Sequence, residues 1–290
     1  MTSTTRIGPA EFAWGSRTYV MGILNVTPDS FSGDGLLVAD YLLVAADPVR
    51  TAVETARRMV AEGADILDIG GESTRPGHAT VDAVQESARV IPDIAAVRAA
   101  LPMTPISVDT IKAAVAEAAL DAGADLINDV WGVGPDETMA RLAATRRIPL
   151  VIMHNRVEAS YADLIGEIVA DLRAALKRAV ALGVDPGDLI VDPGFGFGKT
   201  AEHNLIVLRE LAALRVLGRP ILLGTSRKST LGRVLDLPAD ERLEATIATT
   251  AIGIVEGADI VRVHDVQANV RAARMTDAVV RGTWHPDPVS

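Results

Sequence analysis

Eight times along this chain a short apolar run ends on a polar or glycine residue and is followed by a helix-like segment. That repetition limits the folds open to it. The runs are residues 18–24, ending at Asn25; 66–69, ending at Gly70-Gly71; 105–108, ending at Asp109; and 126–127, ending at Asn128-Asp129. They continue at 150–153, reaching His154; 189–191, reaching Asp192; 221–223, reaching Gly224-Thr225-Ser226; and 260–261, reaching Arg262. Unbroken apolar runs of this length read as strands buried on both faces, as in a parallel sheet. Asp47-Pro48 opens the first intervening helix with a capping carboxylate and a proline at the first helical position. Further helices are predicted near 80–100, from 110 to 123, at 136–145, 161–182, 203–217 and 239–256, and up to about 281. The turns Glu62-Gly63-Ala64-Asp65, Ala122-Gly123-Ala124-Asp125 and Glu256-Gly257-Ala258-Asp259 are nearly one sequence. A short helix-to-strand loop wants glycine at the helix end, so this echo is read as architecture. Eight βα units in 290 residues predict an α/β protein, a single TIM (β/α)8 barrel over 18–283. A short N-terminal extension or hairpin (1–17), with Phe12 and Trp14, precedes it, and a tail (284–290) follows. A doubly wound sheet is the weaker alternative, because no dinucleotide-type glycine fingerprint follows the first strand.

The net charge of −10, with no basic block, argues against nucleic acid as a partner. No apolar run approaches the ~20 residues of a membrane span, and the N-terminus lacks the basic and apolar regions of a signal peptide. Without cysteine there is no disulfide and no thiolate metal site, which fits a cytoplasmic protein.

In a TIM barrel the C-terminal strand ends form the active face. Asn25, the loop 71–77, Asp109, Asn128, His154, Asp192, Lys228, Arg262 and His264 all fall there. Each alone has an ordinary explanation: Asp109 could cap a helix, Asn128 satisfy a turn, Lys228 sit in solvent. Converging on one mouth, they read as a site. The stretch 192–199, Asp-Pro-Gly-Phe-Gly-Phe-Gly-Lys, delivers Asp192 to the rim, and its glycines permit sharp turns or a close ligand. Asp109, Asn128 and Asp192 suit a flat heterocycle presenting several N–H donors, because a carboxylate accepts two hydrogen bonds side by side. Arg262, His264 and Asn25 lie on the eighth and first strands, adjacent once a barrel closes, and an arginine fork grips phosphate oxygens. Asn25 is a hard oxygen ligand able to help hold Mg²⁺ on a polyphosphate, and Arg75 and Lys228 add positive charge. A flat base at one side and phosphate at the other describe a pyrophosphate ester of a heterocycle.

Seven segments, in order and spanning nearly the whole chain, resemble the dihydropteroate synthase family of folate biosynthesis. They are 21–31 (MGILNVTPDSF), 70–77 (GGESTRPG), 106–110 (ISVDT), 127–129 (IND), 192–199 (DPGFGFGK), 226–229 (SRKS) and 262–266 (RVHDV). The resemblance implies condensation of 6-hydroxymethyl-7,8-dihydropterin pyrophosphate with p-aminobenzoate, giving 7,8-dihydropteroate and pyrophosphate, with Mg²⁺. It places the pterin on Asp109, Asn128, Asp192 and Lys228, with Arg227 and Met153 packed near it. It gives the pyrophosphate and its metal to Asn25, Arg262 and His264, with Arg75 close by. It builds the p-aminobenzoate site from Thr74, Pro76, Phe197, Lys228 and Ser229. Asp109, Asp192, Lys228, Arg262 and His264 are the residues expected to carry a dissociative substitution, in which pyrophosphate leaves before the amine attacks. The loops 26–35 and 71–77 are expected to close over the site and exclude water. The family is also a sulfonamide target, and it implies a homodimer formed through barrel helices away from the mouth.

Two departures from the family pattern stand out. Ser32-Gly33-Asp34-Gly35 shifts an acid by one place, and the segment 36–47 is long and apolar. Where some members have Gln-Gly after Met-His, this chain has Asn155-Arg156. A pterin-binding methyltransferase barrel would share the pterin-side residues but have no need of 226–229 or of Arg262 with His264. A non-catalytic paralogue should have lost catalytic-side residues, and none is visibly lost.

Overall fold

The computed structural model describes residues 4–26, 47–71, 81–132 and 137–284. Two short strands, β1 (Thr4–Ile7) and β2 (Ala10–Ala13), pair antiparallel as a hairpin. Eight parallel strands follow: β3 (Tyr19–Asn25), β4 (Ile66–Gly70), β5 (Ile106–Asp109), β6 (Leu126–Asp129), β7 (Leu150–Met153), β8 (Leu189–Asp192), β9 (Leu222–Leu223) and β10 (Ile260–Val263). Their order is β8-β7-β6-β5-β4-β3-β10-β9. A parallel bridge between Val191 and Ile221 joins the two ends of that sheet, so it closes as a barrel.

The helices are α1 (Pro48–Glu62), α2 (Ala83–Ala100), α3 (Ala113–Asp121), α4 (Thr138–Arg146), α5 (Leu164–Ala181), α6 (Ala201–Arg209), α7 (Ser229–Leu235), α8 (Leu243–Val255) and α9 (Val266–Val280). α1 begins where Asp47 accepts from the Arg50 N–H at 3.0 Å and ends at Gly63, whose φ of 105° is open to glycine at little cost. The expected helix over 203–217 is instead α6 followed by a 3-10 turn, Leu211–Leu217. Leu211 and Leu214, three apart, both point inward in that turn, which matches the tighter winding. α7 is a short extra helix between β9 and α8 that the eight-unit pattern did not contain. None of the described helices is long and apolar enough to cross a membrane.

The repeated Gly-Ala-Asp turns all do one job at the N-terminal end of the barrel. Asp65 accepts from the Val20 N–H (2.8 Å), Asp125 from the Ile106 N–H (3.0 Å) and Asp259 from the Ile221 N–H (3.0 Å). Each carboxylate thus satisfies a backbone donor at the start of the preceding strand, a group that is costly to bury unpaired.

Because strand residues alternate in direction, Leu67 and Ile69 of β4 pack under the helices while Ile66 joins an inner cluster. That cluster contains Met21, Leu126, Val151, Ile190, Leu222 and Ile260 from the strands, plus Ile7, Phe12 and Trp14 from the hairpin side. The hairpin therefore stoppers the lower end of the barrel. Trp14 Nε1 donates to Thr5 Oγ1 (2.8 Å), and that hydroxyl donates to the Gly187 carbonyl (2.6 Å). Two residues further along the strands, on the same inward register, most of the side chains become polar.

Candidate active site

The inward residues above the apolar plug are Asp68 on β4, Ser107 and Asp109 on β5, Asn128 on β6, Met153 on β7, Asp192 on β8 and Arg262 on β10. Asp68 is fully buried, and Ser107, Asp109, Asn128, Met153 and Asp192 are also buried. Such a set is tolerated only if its charges pair. Arg262 supplies the pairing. Its Nε donates to Asp68 Oδ2 at 2.6 Å, and its Nη2 donates to Asp109 Oδ2 at 2.7 Å. Asn128 Nδ2 donates to the same Asp68 oxygen at 3.2 Å. The second carboxylate oxygens, Asp68 Oδ1 and Asp109 Oδ1, and the Ser107 hydroxyl have no hydrogen-bond partner among the described residues. Burial pushes the Asp109 carboxyl up to about 7, against the pull of Arg262 and with the help of the neighbouring Asp68 and Glu86 charges. Burial also raises Asp192, opposed by Lys228 and by the Gly194 N–H.

The loop after β8 is shaped by its glycines. Gly194 has φ 69°, and a Cβ there would lie 1.8 Å from the His154 carbonyl oxygen, so no other residue fits. Asp192 Oδ1 accepts from the Gly194 N–H at 2.7 Å, and Asn204 Oδ1 accepts from the Gly196 N–H at 2.8 Å. Phe195 is buried, while Phe197 is half-buried at the mouth. Lys228, on the turn into α7, donates from Nζ to the Phe195 carbonyl, with the ammonium 4.4 Å from the centre of the Phe197 ring. Burial lowers the Lys228 ammonium to about 8, although Asp192, and more weakly Asp109, draw it back up.

On the β9–β10 side, Arg227 takes a left-handed backbone (φ 56°) and forks onto Asp265, at 3.1 Å from Nε and 2.8 Å from Nη2. Its expected place beside a pterin is thus one of packing while its charge is engaged elsewhere. Ser229 is exposed at the first turn of α7. Ser226 Oγ accepts from the His264 N–H (3.2 Å) and lies 2.9 Å from His264 Nδ1. A hydroxyl that accepts the N–H still has a hydrogen to give, so it can serve Nδ1 as donor or as second acceptor according to the ring's tautomer. Asn25 ends β3, half-buried and level with Gly70. Thr74, Arg75, Pro76 and Asp34 lie outside the described residues, as do the loops expected to close over the mouth apart from Val26 and Gly71.

The structure thus brings Asp109, Asn128, Met153, Asp192, Lys228 and Arg262 to one opening, with Phe197, Ser229, His264 and Asn25 at its rim. It adds Asp68, which a reading confined to strand ends passes over. The signal was there: a carboxylate inside an apolar run, two residues before the strand end and so on the same inward face.

Arg262 is the only described cation hydrogen-bonded to Asp68 and Asp109. Arg262→Met should therefore cost about 3–5 kcal/mol in urea unfolding at pH 7, because it strands two buried carboxylates. Adding Asp68→Leu should recover at least about 1 kcal/mol of that loss, since an unpaired charge is then removed. Losses that simply add would contradict the pairing.

The profile of the pterin binding enzyme family matches residues 21–264. A dihydropteroate synthase from Clostridium beijerinckii is 49% identical over 277 residues, 95% of this chain and 99% of that protein. A crystal structure of dihydropteroate synthase from Clostridium difficile, determined in the presence of pteroic acid, superposes with a TM-score of 0.85. It is 48% identical and covers 93% of this chain and 99% of its own. The Xanthomonas albilineans dihydropteroate synthase with 4-aminobenzoic acid superposes at 0.87 with 38% identity, covering 96% and 98%. The matched span runs from the first barrel strand to just past the last, through every strand that contributes to the mouth, and the chain belongs to the dihydropteroate synthase family of pterin binding enzymes.

Proposed function

We propose that the chain joins 6-hydroxymethyl-7,8-dihydropterin pyrophosphate to p-aminobenzoate, forming 7,8-dihydropteroate and pyrophosphate in folate biosynthesis. The observation that carries this is Asp109: a buried carboxylate with one oxygen on Arg262 and the other without a partner among the described residues. Such an acceptor is costly unless a ligand donor meets it, and the edge of a dihydropterin is a row of N–H groups. Asn128 and Asp192 extend the same edge, and Met153 offers an apolar surface to the ring. The pteroic acid and 4-aminobenzoic acid named for the related structures support the same pair of substrates.

In the step itself the bond from the pterin methylene to the pyrophosphate oxygen breaks, and its electron pair leaves with the pyrophosphate. The methylene is left cationic in conjugation with the ring, and Asp109 and Asp192 are placed to stabilise that charge. The aniline nitrogen of p-aminobenzoate, already unprotonated at neutral pH, forms the new C–N bond and loses a proton to solvent. Arg262 has N–H donors beyond the two engaged by Asp68 and Asp109, and with His264 it faces the departing phosphate side. Because Arg262 also holds Asp109, pyrophosphate and pterin binding are coupled through one side chain. Phe197, Lys228 and Ser229 form the described part of the p-aminobenzoate subsite, with Thr74 and Pro76 assigned to the rest by resemblance. Sulfonamides, which mimic p-aminobenzoate, would compete there.

The donor set bears on Mg²⁺. Among the described residues no cluster of three His, Cys, Asp or Glu could hold a metal, and Asp68 and Asp109 are tied to Arg262. The described residues therefore offer no cage, and among them Asn25 supplies one hard oxygen. That fits an ion carried in on the phosphate oxygens with the Asn25 amide as its protein ligand. When bound it would neutralise charge on the leaving pyrophosphate.

The expected homodimer has a candidate face. α8 and α9 pack side by side, and they expose Ile252, Val255, Met275 and Val279. An apolar face of this kind suits burial against a second copy. Light scattering should give about twice the chain mass of 30.5 kDa, and a monomer at micromolar concentration would refute the pairing. A cytoplasmic location suits a chain without cysteine.

Pyrophosphate release should require both substrates together. Asp192→Asn replaces an acceptor with a donor facing ligand donors, so turnover should fall more than tenfold with the melting temperature unchanged. Turnover near that of the unaltered chain would remove Asp192 from the reaction.

A further inference from the structure

The glycine loop after β8 is gripped from behind by side chains, two of which the reaction does not use. Its three glycines have positive φ, Gly194 (69°), Gly196 (85°) and Gly198 (54°), and one turn within it is closed by the Phe197 N–H donating to the Gly194 carbonyl (3.0 Å). Side chains hold the carbonyls that follow. Lys228 donates to the Phe195 carbonyl, Lys199 Nζ to the Phe197 carbonyl (3.1 Å) and the Tyr161 hydroxyl to the Gly198 carbonyl (2.8 Å). Lys228 is assigned above to the substrate site. Lys199 is not, and it is the side chain that holds the carbonyl of Phe197 itself.

Lys199 is in turn set by a chain of buried groups. Its Nζ lies 2.9 Å from His154 Nδ1, and His154 Nε2 lies 3.2 Å from Asp171 Oδ2 on α5. An ammonium can only donate, so His154 Nδ1 is the acceptor and the ring proton sits on Nε2, donated to Asp171. Burial and the Lys199 charge hold the His154 imidazolium down at about 4, so the ring is neutral and this tautomer persists at neutral pH. Arg156 anchors the outer end: it donates to Asp171 Oδ2 (2.7 Å from Nη2) and to Glu167 (2.7 Å from Nη1), and covers the Tyr161 ring at 4.5 Å. Arg156 is one of the two residues that stand here where some family members have Gln-Gly.

We propose that Lys199, oriented by His154 and Asp171, is a positioning residue for the p-aminobenzoate subsite, fixing the Phe197 wall through the Phe197 carbonyl. This role presupposes the reaction proposed above. It also makes the subsite sensitive to pH. Burial lowers the Lys199 ammonium to about 7; Asp192 and Asp171 favour its charge, while Lys228 and Arg156 oppose it. The charged grip is therefore full well below pH 7 and is lost as the pH rises through it.

The test is steady-state kinetics with both substrates varied from pH 6 to 8. Lys199→Met should raise KM for p-aminobenzoate at least tenfold, about 1.4 kcal/mol, with KM for the pterin pyrophosphate changed less than about twofold. His154→Leu should do the same. His154→Asn, whose amide oxygen can replace Nδ1 as acceptor, should recover most of the loss. In the unaltered chain KM for p-aminobenzoate should rise between pH 6.5 and 8, and Lys199→Met should flatten that rise. An unchanged KM, equal rises in both KM values, or a pH dependence that survives Lys199→Met would overturn the proposal. Should Lys199→Met not fold, the contrast between His154→Asn and His154→Leu decides: equal behaviour of the two overturns it. If the unaltered chain releases no pyrophosphate with both substrates present, the reaction assignment fails instead.

Discussion

One guanidinium placed between two buried carboxylates organises the mouth of this barrel. Asp68 and Asp109 project from neighbouring strands into a space walled off from water, and neither could stay ionised there alone. Arg262, from the strand on the far side of β3, reaches both. Closure of the barrel makes this possible, because β10 and β4 both pair with β3. The pairing is incomplete by design of the geometry: each carboxylate uses one oxygen on Arg262, and the second oxygen of each is left without a partner among the described residues. A site that already holds charge in a dry place needs little rearrangement when a ligand with matching donors arrives, and that preorganisation is usually the largest contribution to catalysis.

The rest of the fold serves this arrangement. The hairpin and the inner apolar layer plug the lower barrel, so the polar layer above it opens on one side. The Gly-Ala-Asp turns pin strand starts at the lower end through Asp65, Asp125 and Asp259, leaving the upper ends free to carry chemistry. Side chains at the upper end then hold the loops: Asn204 holds Gly196, while Lys199 and Tyr161 hold the next two carbonyls.

Much of this was legible in the sequence, for identifiable reasons. Strands buried on both faces are uninterrupted apolar runs, so all eight barrel strands were found, and the polar residues closing them marked the mouth. Short-range signals also worked: Asp47-Pro48 and Gly63 bound α1. What escaped were features set by distant partners. Asp68 lay hidden within a run read only for hydrophobicity, yet its register puts it inside the barrel. The pairing of Arg262 with Asp109 joins residues 153 positions apart, and that of Lys199 with His154 joins residues 45 apart. Neither separation leaves a local pattern. α7 escaped because it is a single short excursion outside the repeating unit, and the 3-10 turn after α6 because its leucine spacing also fits an α-helix.

The central claim is that Asp109 carries an ionised, partly unpaired carboxylate that a pterin must find charged. Calorimetry of pterin binding between pH 5.5 and 7.5, in buffers of differing ionisation enthalpy, tests it most directly. Since burial places this carboxyl near 7 and binding selects its ionised form, affinity should rise with pH across that window. Binding should release a proton at the acid end, and both effects should vanish in Asp109→Asn. Pterin binding that takes up no part in proton exchange, or an identical pH profile in the Asp109→Asn variant, would contradict the account.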